Sequence, residues 1–149
     1  MGTEEGGGDM TDGGTVDRFE DLRVWQTARE LAKGVYRAAR VQSLREDRSL
    51  ANQMKRAAVS VGSNIAEGYE RGTRKQQIEF CFVAKGSAGE LRSQVITAHD
   101  IGLIDDRAYE WMLETCERCS RQLAAYIAHL KRTAPSIRGL KYASEQDEA

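Results

Sequence analysis

The stretch from Met54 to Leu91, MKRAAVSVGSNIAEGYERGTRKQQIEFCFVAKGSAGEL, constrains this chain more than any other. Its first half sets Met54, Ala57, Ala58, Val61 and Ile65 at steps of three and four, which puts them on one face of an α-helix. Lys55, Arg56, Ser60, Ser63 and Glu67 fall on the opposite face, so the segment reads as an amphipathic helix with one narrow buried stripe. Gly68 and Gly72 bracket Tyr69-Glu70-Arg71 and predict a turn, because glycine alone enters left-handed backbone cheaply. Thr73 with Gln76 has the form of a capping box, in which two side chains satisfy amides left unpaired by the first helical turn. A second helix therefore starts there, with Ile78, Cys81, Phe82, Ala88, Leu91, Val95 and Ala98 as its predicted buried side. Gly86 and Gly89 in its middle each cost about 1 kcal/mol against alanine. They predict a neighbouring backbone too close for a side chain, with Ala57, Ala58 and Ala66 as the facing surface.

Simpler helices flank this pair. Leu22, Trp25, Ala28, Ala32, Val35 and Ala39 mark the predicted buried side of a first helix running from about Asp21 to Val41. Polar residues from Gln42 to Arg48 link it to the second helix, which is expected to begin near Ser49. The third should end at Gly102. Asp105 suits an N-cap for the fourth, with Ile104 and Tyr109 as a hydrophobic staple across it. Tyr109, Met112, Leu113, Cys116, Leu123, Ile127 and Leu130 then form a nearly heptad stripe, and Pro135 should stop the helix. No strand pattern competes. The fold expected is all-α, an up-down-up-down antiparallel four-helix bundle over residues 18–134. It lies between an acidic, glycine-rich tail, residues 1–17, lacking the periodicity to order itself, and a flexible tail, residues 135–149. A chain of 149 residues is long enough to bury a core as one domain without staples.

The net charge of -1 conceals an uneven distribution. Residues 18–134 hold 20 basic and 15 acidic side chains, a net +5, whereas residues 1–17 hold five acidic and no basic ones. Basic clusters at Lys55-Arg56, at Arg71 with Arg74-Lys75, and at Lys131-Arg132 can neutralise phosphates, although such clusters more often only solubilise a helix surface. Trp25 and Tyr36 could serve as a stacking platform for bases, but a place in the core or a subunit interface is the preferred reading. No apolar run approaches the roughly 20 residues that span a bilayer. No signal-peptide pattern opens the chain, so a cytoplasmic protein is expected.

Catalytic and metal chemistry find little support. Cys116-x-x-Cys119 has metal or redox spacing, but no second Cys or His pair follows at zinc-site distance, and with Cys81 these read as buried structural thiols. His99 and His129 lie far apart without a phosphate loop or nucleophile elbow, and His99 reads as a helix-surface residue near a cap. Asn64, Glu67 and Arg71 share one helical face. They are read as structural, with Asn64 and Glu67 bonding at the turn to Arg71, Arg74 or Glu90 and so fixing the register of the central pair. No metal or cofactor is expected.

One combination of motifs is more specific. Phe19-Glu20-Asp21-Leu22-Arg23-Val24-Trp25, Arg56-Ala57-Ala58-Val59-Ser60-Val61, Asn64-Ile65-Ala66-Glu67-Gly68, Arg71, and Ala84-Lys85-Gly86-Ser87-Ala88-Gly89-Glu90-Leu91 stand in one short chain. Together they resemble the four-helix-bundle proteins encoded within intervening sequences of bacterial 23S ribosomal RNA genes. That family includes the accessory variability protein of diversity-generating retroelements. The resemblance covers Phe19 to Lys131, and one departure is Val41-Gln42-Ser43-Leu44, where the family usually has a Phe-Pro pair. It implies a homopentamer, and a structural motif at Ser60, Asn64, Glu67, Gly68, Gly86, Ser87 and Glu90. The retroelement member binds a reverse transcriptase and its template RNA through a basic surface. For this chain the resemblance implies a non-enzymatic oligomeric scaffold whose partners are itself, structured RNA, a reverse transcriptase, or both. The alternative is a self-assembling protein that binds no nucleic acid.

Overall fold

The computed structural model describes residues 16–41 and 43–133, so the stop at Pro135, the tail at 135–149 and all but the last two residues of the tail at 1–17 lie outside the described residues. Among the described residues the chain is all-α, with four helices and no strand: α1 Arg23–Val41, α2 Arg48–Arg71, α3 Arg74–Asp100 and α4 Asp106–Arg132. Short 3-10 turns precede α1 at Phe19–Asp21 and α2 at Ser43–Glu46.

Each helix from α2 onward starts at a side chain that accepts an otherwise orphaned amide. Asp47 accepts from the Leu50 N–H, Thr73 from Gln76 and Asp105 from Ala108. Thr73 Oγ1 also donates to Gln76 Oε1, so the glutamine closes the box on the hydroxyl. Glycine enters the left-handed region at two helix ends, Gly72 with φ 94° and Gly102 with φ 82°. The predicted turn at Gly68 is thus displaced, because α2 continues through Tyr69-Glu70-Arg71 and turns at Gly72.

The helices pack as a bundle in which α1 and α3 each lie against both α2 and α4. The Leu44 N–H donates to the Leu103 carbonyl at 2.9 Å, tying the α1–α2 connection to the α3–α4 connection. Two stacked core clusters fill the interior. One gathers Leu22, Val61, Ile65, Cys81, Leu123 and Leu130, and the other Leu31, Leu44, Met54, Leu91, Val95 and Met112.

The buried stripe of α1 differs from the expected one by about one residue. Val24, Ala28, Leu31, Val35 and Ala38 point inward, while Trp25 and Ala32 are half-buried at the edge facing α2. On α3 the buried line is Cys81, Ala84, Ala88, Leu91, Val95 and Ala98. Phe82 stands one residue off that line and is half exposed. On α4, Tyr109 and Leu113 are only half-buried, and the core also takes Thr115, Cys119, Gln122 and Tyr126.

The glycine argument needs a larger correction. Among the described residues nothing lies within 4 Å of a Cβ built on Gly86 or Gly89, so no described backbone approaches them. Close approach occurs elsewhere. A Cβ on Gly34 would lie 2.2 Å from Trp111 Cζ3, and one on Gly68 would lie 2.7 Å from Phe80 Cβ. Gly68 is therefore a contact between α2 and α3, where the chain reverses within two residues.

Candidate nucleic-acid interface

The basic residues of the bundle separate into two groups by their position along the helices. The first lies where α1 ends and α2 begins. Arg40 comes from the last turn of α1, Arg45 from the 3-10 turn, and Arg48, Asn52 and Lys55 follow at steps of four and three on one face of α2. With Ala39 and Ala51 these five line a cleft of about 680 Å³ that has no carboxylate in its wall. Arg40, Arg45, Arg48 and Lys55 have no ion-pair partner among the described residues. Asp47, in the same connection, is committed to capping α2 through the Leu50 N–H at 3.0 Å. Four cations around one concavity repel one another, and a bound polyanion relieves that repulsion.

A second, shallower recess of about 380 Å³ adjoins the first along α1, lined by Ala32, Lys33, Tyr36, Arg37 and Arg40. Arg40 belongs to both. Lys55 Nζ sits 5.2 Å from the centre of the Tyr36 ring, which is 40% exposed.

The second basic group lies where α2 ends, α3 begins and α4 ends. Lys55 is 16 residues from Arg71 on α2, or about 24 Å along the axis, so the sequence clusters do not form one patch. Arg56 is exposed beside Lys55. Arg71 pairs with Glu67 at 3.0 Å and lies over the Phe80 ring. Lys131 covers Phe82, with its ammonium 5.4 Å from the ring centre. Lys75 and Arg132 are exposed.

Arg74 has a structural duty. Its Nη1 donates to the carbonyls of Leu130 and Thr133 and to Thr133 Oγ1, binding the exposed carbonyl end of α4 to the start of α3. Burial lowers its pKa, though it remains a cation. Burial and the charges of Arg132 and Arg74 lower the pKa of nearby His129, leaving it neutral at pH 7. Arg74→Gln is expected to lower stability by about 1.5–3 kcal/mol, the range for hydrogen bonds to a charged group, while exposed Lys75→Gln leaves it unchanged. Urea midpoints measure both, and equal midpoints for the two variants would remove Arg74 from the fold's supports.

The polar motif between α2 and α3 is structural in its geometry. Ser60 Oγ and Ser87 Oγ are 2.9 Å apart, and Asn64 Nδ2 donates to Ser60 O at 2.8 Å and to Ser60 Oγ at 2.9 Å. Glu67 reaches Arg71, as expected, but Glu90 accepts from Gln94 within its own helix and takes no part in the α2–α3 contact. His99 stacks on Tyr109 with ring centres 3.9 Å apart and contacts Asp106 at 2.7 Å, securing the α3–α4 corner.

Reading contiguous clusters missed Arg37, Arg40, Arg45, Arg48 and Asn52. Their signal was periodic. Arg37 and Arg40 are three apart before the helix break, and Arg45 and Arg48 are three apart after it, so the fold joins what the break divides.

No curated protein matches this sequence. The family model of the 23S rRNA-intervening sequence protein matches residues 20–125, from the 3-10 turn before α1 to the sixth turn of α4. A match over more than half of the sequence, on a chain whose described residues fold as a bundle of four helices, establishes that this protein belongs to the 23S rRNA-intervening sequence protein family.

Proposed function

We propose that this protein is a non-catalytic, self-associating scaffold that binds structured RNA. The observation that carries this reading is the cleft walled by Arg40, Arg45, Arg48 and Lys55 without a compensating carboxylate. Arg71, Lys75, Lys131 and Arg132 at the other end extend the same chemistry. A ring of such chains multiplies each modest site and engages one long RNA by avidity. In a retroelement setting the bound RNA is a template presented to a reverse transcriptase, and recovery of that enzyme with the tagged protein from its host tests this branch.

Topology supports the bundle, and the surface it presents favours self-association. Within each chain, the two-residue α2–α3 connection and the Leu44–Leu103 bond suit an up-down-up-down bundle. On its surface, Phe82, Gly86, Gly89 and Ile96 form an exposed stripe on α3, while Trp25, Ala28, Ala32, Val59, Gly62 and Ala66 line an apolar groove between α1 and α2. These surfaces are different and lie on different helices. That arrangement suits a heterologous contact, which closes into rings such as a pentamer when the rotation permits.

Binding of a structured RNA should weaken linearly in log affinity against log salt. Replacing Arg40, Arg45, Arg48 and Lys55 together with glutamine should shallow that slope by roughly 3 for each engaged chain, at about 0.7 to 0.9 per lost phosphate contact depending on whether the strand is unpaired or paired. Binding that ignores salt, or a variant with the parent slope, would refute the electrostatic reading and leave the self-assembling alternative.

A further inference from the structure

The paired recesses beside α1 bear on which form of RNA the basic cleft would accept, an inference that rests on the RNA-binding reading above. We propose that the groove from Tyr36 to Arg48 binds an unpaired, single-stranded stretch, with one base stacked on Tyr36 and the adjoining phosphates held by Arg40, Arg45, Arg48 and Lys55.

Three observations converge on this assignment. The recesses, about 380 and 680 Å³, each fall in the range of small-molecule sites and are contiguous through Arg40. A duplex conceals the faces of its bases, so only an unpaired strand can offer one to the Tyr36 ring at the rim of these recesses. The groove also sets one aromatic ring, Tyr36, beside a row of cations, the combination by which proteins hold single strands through stacking and backbone neutralisation. Finally, Tyr36 contributes to neither core cluster, and 40% of its surface remains exposed.

Lys55 now sits over the Tyr36 ring, so a base arriving on that face must displace it. The exchange is favourable. An exposed cation–π contact is weaker than the stacking of a base on an aromatic side chain. The long lysine stem also lets the ammonium swing from the ring to a phosphate in the cleft it already lines.

The test uses the full chain with a fluorescently labelled homopolymeric 20-mer of RNA and a blunt duplex of the same length, titrated by anisotropy across a salt series. The single strand should bind at least tenfold more tightly than the duplex. Tyr36→Leu should weaken single-strand binding about five- to tenfold at every salt concentration without altering the salt slope, whereas Tyr36→Phe retains the parent affinity. Arg45→Gln with Arg48→Gln should weaken binding and shallow the slope. Tyr36 is on the surface, and an unchanged circular dichroism melt confirms that its variants fold. Equal affinity for strand and duplex, with Tyr36→Leu behaving as the parent, would overturn the single-strand assignment while leaving RNA binding intact. Absence of binding to both RNAs, and to a long structured RNA, would overturn the RNA reading itself.

Discussion

Gly68→Val is expected to lower stability by about 3 kcal/mol, the upper part of the range for overpacking a close contact. The first added carbon already lies 2.7 Å from Phe80 Cβ and 3.3 Å from both Cα and O of Gln77. Neither obstacle is the mobile end of a side chain. Phe80 Cβ is fixed to the α3 backbone and Gln77 contributes backbone itself, so relief requires α2 and α3 to separate just beyond their two-residue connection. Gly86→Leu should behave oppositely. Its site is open among the described residues, and leucine is the better helix former by roughly 0.8 kcal/mol. Chemical denaturation of both variants, at a concentration where the parent is monomeric, checks the pair. Equal midpoints for Gly68→Val and the parent would mean that the α2–α3 crossing is looser than described. A destabilised Gly86→Leu monomer would restore a close approach at Gly86. Sedimentation of the same Gly86→Leu protein at higher concentration adds a second outcome, since loss of the oligomer alone places a neighbouring chain against the α3 stripe.

The central pair also shows how far the sequence could be read. Helix number and type followed from the three-and-four spacing, and the Thr73 and Asp105 caps followed from local chemistry that needs no distant partner. Phe82 was misassigned because a stripe drawn at steps of three and four has an uncertain edge. Cys81 and Phe82 are adjacent, 100° apart around the axis, and only the position of α2 and α4 decides which one is buried. Gly68 and Gly86 exchanged their meanings for a related reason. A glycine in a helix signals that something approaches or that the helix ends, and the choice depends on tertiary neighbours such as Phe80. The basic cleft was the least legible feature. Its arginines lie on both sides of a helix break, and contiguity in sequence is a poor guide to contiguity across a reversal of the chain. Leu44 illustrates the same limit, since a leucine in a polar connection proves fully buried and its amide holds the other connection at Leu103.

Alkaline solution should unfold this protein steeply, and its thiols are the cause. Cys81, Cys116 and Cys119 are buried and free, and desolvation pushes each thiol from an ordinary 9.0 up to about 12. Below pH 9 the thiols are protonated in both folded and unfolded chains and contribute no pH dependence. Above it the unfolded chain releases three protons that the folded chain keeps, so stability falls as pH rises and continues to fall until the folded thiols ionise near pH 12. Each thiol contributes a slope of about 1.4 kcal/mol per pH unit, and the three together about 4. A domain with the usual 5–15 kcal/mol of stability therefore loses a large share between pH 9 and pH 10.5. Tyr126 steepens the decline further, because burial also raises its phenol above the ordinary value of 10.0. Urea midpoints measured from pH 7 to pH 10.5 read the slope directly, and Cys116→Ala should remove about a third of the thiol contribution while also lowering the plateau by the loss of a packed sulfur. A flat profile to pH 10.5 would mean that the thiols meet water in the folded protein. Rapid reaction of all three with a thiol reagent at pH 8 would establish the same point independently, since a buried and protonated sulfur reacts only through opening of the bundle.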